Sequence, residues 1–181
     1  ITKELLAHHI KGKHIVELGC GSGLLAGDLI ALGAASYQGY DISTKAISHA
    51  NQVAAEQGLG GKINFEVCSV VELPPLKADI VFSLGLLDWL GDIALAKVFE
   101  VGGKAEFLHA ISEKKNTLPQ YLHRLYVFLA YGWRTGSYVP CYYTVAEIEA
   151  KAQPHNQSRL HVYRNSKLSF GTLISTLPID K

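Results

Sequence analysis

The sequence predicts an α/β fold: seven strands in a doubly wound, mostly parallel sheet that ends in a C-terminal antiparallel hairpin. Two observations carry that prediction. Up to residue 110, short apolar strands alternate with helical runs, the pattern of βαβ units around a parallel sheet. At the far end, Arg159–Tyr163 and Leu168–Thr176 read as two strands joined only by Arg164-Asn165-Ser166-Lys167, a turn short enough for a hairpin.

The elements follow in order. Residues 2–11 form an amphipathic helix with Leu5, Leu6 and Ile10 on one face. His14–Leu18 is a compact strand stopped by Gly19-Cys20-Gly21-Ser22-Gly23. A helix over Leu24–Leu32 ends at Gly33, a residue suited to the left-handed turn after a helix. Ser36–Tyr40 is the second strand, and Ser43 caps a helix running to about Gln57, before the breaker Gly58-Leu59-Gly60-Gly61. Ile63–Val67 alternates as a third strand. Ala78–Leu84 carries a continuous apolar run behind Asp79, as expected of a strand buried on both faces. A helix over 92–100 and a fifth strand over Lys104–Ala110 complete the repeating part. Beyond it, helices are expected over 118–133 and, from Thr144, over Val145–Ala152.

Composition mostly excludes. A chain of 181 residues with 48% apolar residues fits one domain, 1–181, able to build its own core. The formal net charge of +1 offers no broad field for nucleic acid, and none is expected as a partner. No apolar run reaches the roughly 18 residues of a transmembrane segment, and Ile1–His9 lacks the pattern of a signal peptide. Cys20, Cys68 and Cys141 are odd in number and widely spaced, so they suit reduced thiols in a cytoplasmic protein and no metal set. No Met occurs anywhere, including position 1, so the functional reading rests on short contiguous motifs.

The informative stretch is Val16-Glu17-Leu18-Gly19-Cys20-Gly21-Ser22-Gly23. Its glycines permit a tight strand-to-helix turn and let a ligand approach bare backbone. Two details separate it from a dinucleotide loop. The spacing is G-x-G-x-G rather than G-x-G-x-x-G, and Glu17 would repel a pyrophosphate. A cofactor with an amino-acid end and a cationic sulfur tolerates that carboxylate. The stretch resembles motif I of the class I S-adenosylmethionine-dependent methyltransferases. The resemblance implies a Rossmann-like domain with Glu17, Gly19, Cys20, Gly21 and Gly23 around the cofactor.

Asp41 stands 18 residues after Gly23, at the end of the second strand, where a carboxylate can take both ribose hydroxyls. The family resemblance implies that role for Asp41 and adenine packing for Ile42; the alternative is a carboxylate at a helix N-terminus. In Cys68-Ser69-Val70, Ser69 stands where family members often carry Asp, so Ser69 or the Val70 backbone is left for the adenine edge. Asp79-Ile80-Val81-Phe82-Ser83-Leu84-Gly85 resembles the family's fourth-strand motif, which implies Ser83, Leu84 and Gly85 at the methionine part of the cofactor. Asp88 and Trp89 follow, facing the expected substrate, with ordinary packing the alternative for Trp89.

Residues 121–143 hold eight of the seventeen aromatics. Residues 112–145 are therefore expected to form a lid over an apolar or aromatic small-molecule substrate, with a sheet-packing helix as the alternative. Tyr138, Tyr142 and Tyr143 belong to its loop, and Arg124 and Arg134 suit a substrate carboxylate or phosphate. His109, expected at the end of the fifth strand, is the histidine nearest the chemistry and a candidate base, against a weightier structural role. The expected function is direct in-line methyl transfer from S-adenosylmethionine to a small molecule. An NAD-type oxidoreductase and a non-catalytic methyltransferase-like binding subunit are the rival readings.

Overall fold

The computed structural model describes residues 1–115, 117–131, 140–165 and 171–178. Among the described residues six α-helices and seven strands follow one another: α1 (Thr2–Ala7), β1 (His14–Leu18), α2 (Ala26–Ala31), β2 (Ser36–Asp41), α3 (Thr44–Glu56), β3 (Ile63–Val67), β4 (Ile80–Leu84), α4 (Asp92–Gly102), β5 (Glu106–Ser112), α5 (Leu118–Tyr131), α6 (Val145–Ala152), β6 (His161–Arg164) and β7 (Gly171–Ser175). The strands form one sheet in the order β3-β2-β1-β4-β5-β7-β6. Pairing is parallel from β3 across to β5, and β7 runs antiparallel to both β5 and β6.

Local chemistry explains the clearest boundaries. Ser43 opens α3 because its hydroxyl accepts the Ala46 N–H at 3.3 Å. Thr144 opens α6 through a capping box: its hydroxyl accepts from Glu147 N–H while the Glu147 carboxylate accepts from Thr144 N–H. β5 lies two residues later than the sequence predicts, which moves His109 from a strand end to its middle. The α5 helix is described to Tyr131; the expected residues 132–133, Arg134, Tyr138 and Ser166-Lys167 of the hairpin turn lie outside the described residues.

Side chains alternate across the sheet, so each strand feeds two cores. On one face Ile15, Tyr37, Phe65 and Phe82 pack under Leu6 of α1, Leu29 of α2 and Ile47 of α3. On the other, Val16, Leu18 and Val81 meet Val98 and Val101 of α4, and Phe107 and Ile174 meet Phe99 and Ile148 of α6's layer. The order reverses between β1 and β4, and in such a sheet a ligand crevice opens at the carboxyl ends of those strands.

Candidate functional site

The loop after β1 is pinned to the end of β2. Gly19 and Cys20 both donate their N–H to the Tyr40 carbonyl, at 2.8 and 3.0 Å. Gly19, Gly21 and Gly23 all take positive φ, between 53° and 70°, which side chains strain to adopt. Their surroundings differ. A Cβ on Gly21 would meet nothing within 4 Å, whereas one on Gly23 would strike the Phe65 ring at 2.3 Å. Gly23 is therefore required by packing, and Gly21 leaves bare backbone on an open side.

Asp41 holds this loop. One carboxylate oxygen accepts the Gly21 N–H and the other the Ser43 N–H, each at 2.8 Å. A carboxylate has about four lone-pair positions, so two remain for hydroxyl donors. Glu17 lies behind the loop, buried, with the Tyr37 hydroxyl donating to its carboxyl group. Burial pushes the Glu17 pKa up to about 8, against the lowering effect of the tyrosine hydrogen bond and with a further raise from nearby Asp41. Desolvation, helped by Glu17 and Asp41, lifts the Cys20 thiol to about 12, so this thiol packs and does not react.

Two cavities open on this edge. The first, about 160 Å³, is lined by Gly19, Asp41, Ile42, Ser69, Val70 and Trp89 among the residues expected there. Tyr40, Leu73, Leu86 and Leu90 also line it and were not expected; the only signal was their adjacency to Asp41 and to the Leu86–Leu90 turn. The Ser69 side chain makes no capping hydrogen bond to the short 3-10 turn it precedes, Val70–Glu72, although it stands at its N-cap. The second cavity, about 390 Å³, is lined by Lys114, Gln120, Tyr121, Arg124, Pro140, Cys141, Tyr142 and Tyr143.

The turn Leu86–Leu90 is the common wall. Leu86, Trp89 and Leu90 face the first cavity. On its other side, the Cys141 N–H donates to the Asp88 carbonyl at 2.9 Å, and the Tyr143 hydroxyl donates to the Leu90 carbonyl. The Asp88 carboxylate fastens the turn to β5 by accepting the Ser112 N–H and hydroxyl, at 2.8 and 2.7 Å.

The structure places five of the expected residues elsewhere. His109 is buried mid-strand, its Nδ1 2.9 Å from the Ser83 hydroxyl and its ring stacked on Phe107. Burial drives its pKa down to about 3. A neutral imidazole sealed under α4 has no route to either cavity and is structural. Ser83 points to His109 for the same reason, since alternate residues of β4 share a face, so its side chain is absent from the crevice. Leu84 packs against the core under α1–α3. Trp89 lines the first cavity rather than the second, and Asp88 is the fastening of the wall rather than a surface of either cavity.

A parallel sheet with a reversed seventh strand, an acid-preceded G-x-G-x-G loop and an acid at the end of β2 defines a nucleoside-cofactor domain of the Rossmann-like type. Residues 15–101, just under half of the chain, match the family described as "Methyltransferase domain". A ubiquinone biosynthesis O-methyltransferase of Cupriavidus pinatubonensis is 33% identical over 86 residues, covering 46% of this chain and 33% of that protein. A ribosomal protein L11 methyltransferase of Pseudomonas syringae is 28% identical over 107 residues, 58% of this chain and 36% of that one. The matched stretch thus spans about a third of these curated relatives' length. Among solved structures, magnesium protoporphyrin IX methyltransferase from Synechocystis, with bound SAH, superposes with a TM-score of 0.69 at 18% identity, over 96% of this chain and 78% of that one. A Mesorhizobium loti S-adenosylmethionine-dependent methyltransferase gives 0.66 at 19%, covering 92% and 91%. Over residues 15–101 the chain is similar to the methyltransferase-domain family, and its fold is that of the solved S-adenosylmethionine-dependent methyltransferases.

Proposed function

We propose that this domain transfers a methyl group from S-adenosylmethionine to a small-molecule acceptor. The observation that carries the reading is the pair of cavities set back to back across the Leu86–Leu90 turn, one beside the glycine loop and one walled by tyrosines. The residues present fit the cofactor: Gly21 offers open backbone, Asp41 retains acceptor positions for ribose hydroxyls, and Ile42, Val70 and Leu73 supply an apolar slot for a purine. Burial holds Glu17 uncharged at neutral pH, and a cationic ammonium or sulfonium bound nearby would lower its pKa. The cofactor supplies an activated methyl group on a cationic sulfur. The chain's own task is then orientation and exclusion of water.

Residues 112–145 serve as the cover of the second cavity in this reading, with Tyr142 and Tyr143 as acceptor contacts and no dedicated base among the residues named. Lys114 and Arg124, which form no ion pair among the described residues, suit an acidic substituent on the acceptor. The names of the relatives refer to ubiquinone biosynthesis, magnesium protoporphyrin IX and a ribosomal protein, and the aromatic lining favours a ring-bearing metabolite over a protein or nucleic acid. Calorimetric titration with S-adenosylmethionine and, separately, NADH tests the cofactor. Binding of the first alone is the expected result; binding of NADH alone reverses the reading.

A further inference from the structure

The α5 helix is amphipathic the wrong way round for a surface helix. Among its described side chains, Gln120 and Val127 are the buried ones. Gln120 ties the first turn to the end of β5, donating to the Glu113 carbonyl at 2.7 Å and accepting the Lys115 N–H at 2.9 Å. Outward stand Leu118, Tyr121, Leu122, Leu125, Tyr126, Phe128 and Leu129, between 45% and 72% exposed. A patch of that kind on a surface marks a contact with something apolar. The second cavity accounts for only part of it. Gln120, Tyr121 and Arg124 line that cavity, whereas Leu118, Leu122, Leu125 and Leu129 do not.

The charge within the segment that carries the patch has one sign. From Lys114 to Ala146 the sequence contains no Asp or Glu, in a chain that has 16 of them, but four Lys or Arg. Lys114 and Arg124 are exposed and form no ion pair among the described residues. Lys115 shares Glu113 with Arg164, so that group also keeps a net positive charge. An isologous dimer through this face would set basic residues of both copies together with no acid in the segment to pair them. An anionic lipid surface satisfies both the leucines and the cations.

We propose that α5 docks the domain on an anionic lipid bilayer, lying in the plane of the headgroups. With 14 residues it is too short to span, and among the described residues no helix is long and apolar enough to cross a membrane. Its leucines and rings enter the headgroup boundary while Lys114 and Arg124 face lipid phosphates. This inference does not rest on the methyl-transfer reading.

The test is co-sedimentation of the purified protein with phosphatidylglycerol–phosphatidylcholine vesicles and with phosphatidylcholine alone. Each basic residue at such a surface strengthens binding by roughly fivefold. Partition onto the anionic vesicles should therefore be about tenfold higher or more, and should fall in high salt. The double variant Leu122→Glu, Leu125→Glu changes only exposed positions outside both cavities. It should lose at least about tenfold in partition, with its melting temperature and cofactor titration unchanged. No binding of the wild type, equal partition on both vesicles, or unaltered binding of a folded double variant overturns the proposal. So does light scattering that shows a wild-type dimer dispersed by the same substitutions.

Discussion

Replacing Glu17 by Gln isolates the cost of a buried carboxyl group. The amide retains an oxygen to accept the Tyr37 hydroxyl, so the packing against Phe65 and Phe82 is kept. Burial raises the folded-state pKa from an ordinary 4.5 to about 8. Below pH 4.5 both folded and unfolded states are protonated and the group is silent. As pH rises, the unfolded chain releases its proton first, and stability falls until the folded carboxyl also ionises near pH 8. At about 1.4 kcal/mol per unit, this amounts to roughly 5 kcal/mol over the whole window and about 2 kcal/mol between pH 6.5 and 8. Buried His109 acts in the opposite sense. Its pKa is depressed from 6.5 to about 3, so it contributes stability above pH 6.5 that is lost as pH falls toward 3. The difference between Glu17→Gln and wild type cancels that term. Urea unfolding of both proteins at half-unit steps from pH 5 to 8.5 is the assay. The variant should gain on the wild type by about 2 kcal/mol between pH 6.5 and 8. Parallel stability curves would refute the burial argument.

Further outcomes follow from the same geometry. Asp41→Asn should weaken S-adenosylmethionine binding by about tenfold or more while the fold persists, since a charged acceptor of two hydroxyls is exchanged for a mixed donor and acceptor; calorimetry measures it, with a thermal melt as control. Gly23→Ala should destabilise the domain by roughly 2–4 kcal/mol, because positive φ and a 2.3 Å approach to Phe65 combine, and denaturant titration reads the loss. Ser112→Ala removes one hydroxyl donor to Asp88 and should cost about 1 kcal/mol, and raise KM for the acceptor more than it lowers kcat if the wall only positions. The His109 imidazole should stay neutral from pH 5 to 8 by NMR, and no step of a pH–rate profile in that range should follow its substitution.

Much of this molecule was legible along the chain because its signals are local. The strand Ile63–Val67 matches residue for residue, and the Ser43 and Thr144 caps open α3 and α6 where the hydroxyl side chains stand. The glycine spacing, Glu17 and the delay to Asp41 pointed to the cofactor class for a related reason. A tight turn, a buried carboxyl and a strand-end acid are each imposed within one βαβ unit. The tertiary structure alone decided which side chain faces what. The bounds of β5 lie two residues later, which leaves His109 mid-strand rather than at the crevice, and side-chain alternation sets it with Ser83 on the face covered by α4. The Leu86–Leu90 wall, clasped by Ser112 and by the Tyr143 hydroxyl, joins residues 24 and 53 apart in the chain. No periodicity encodes such a meeting, because it depends on where the ends of separate strands arrive once the sheet has formed.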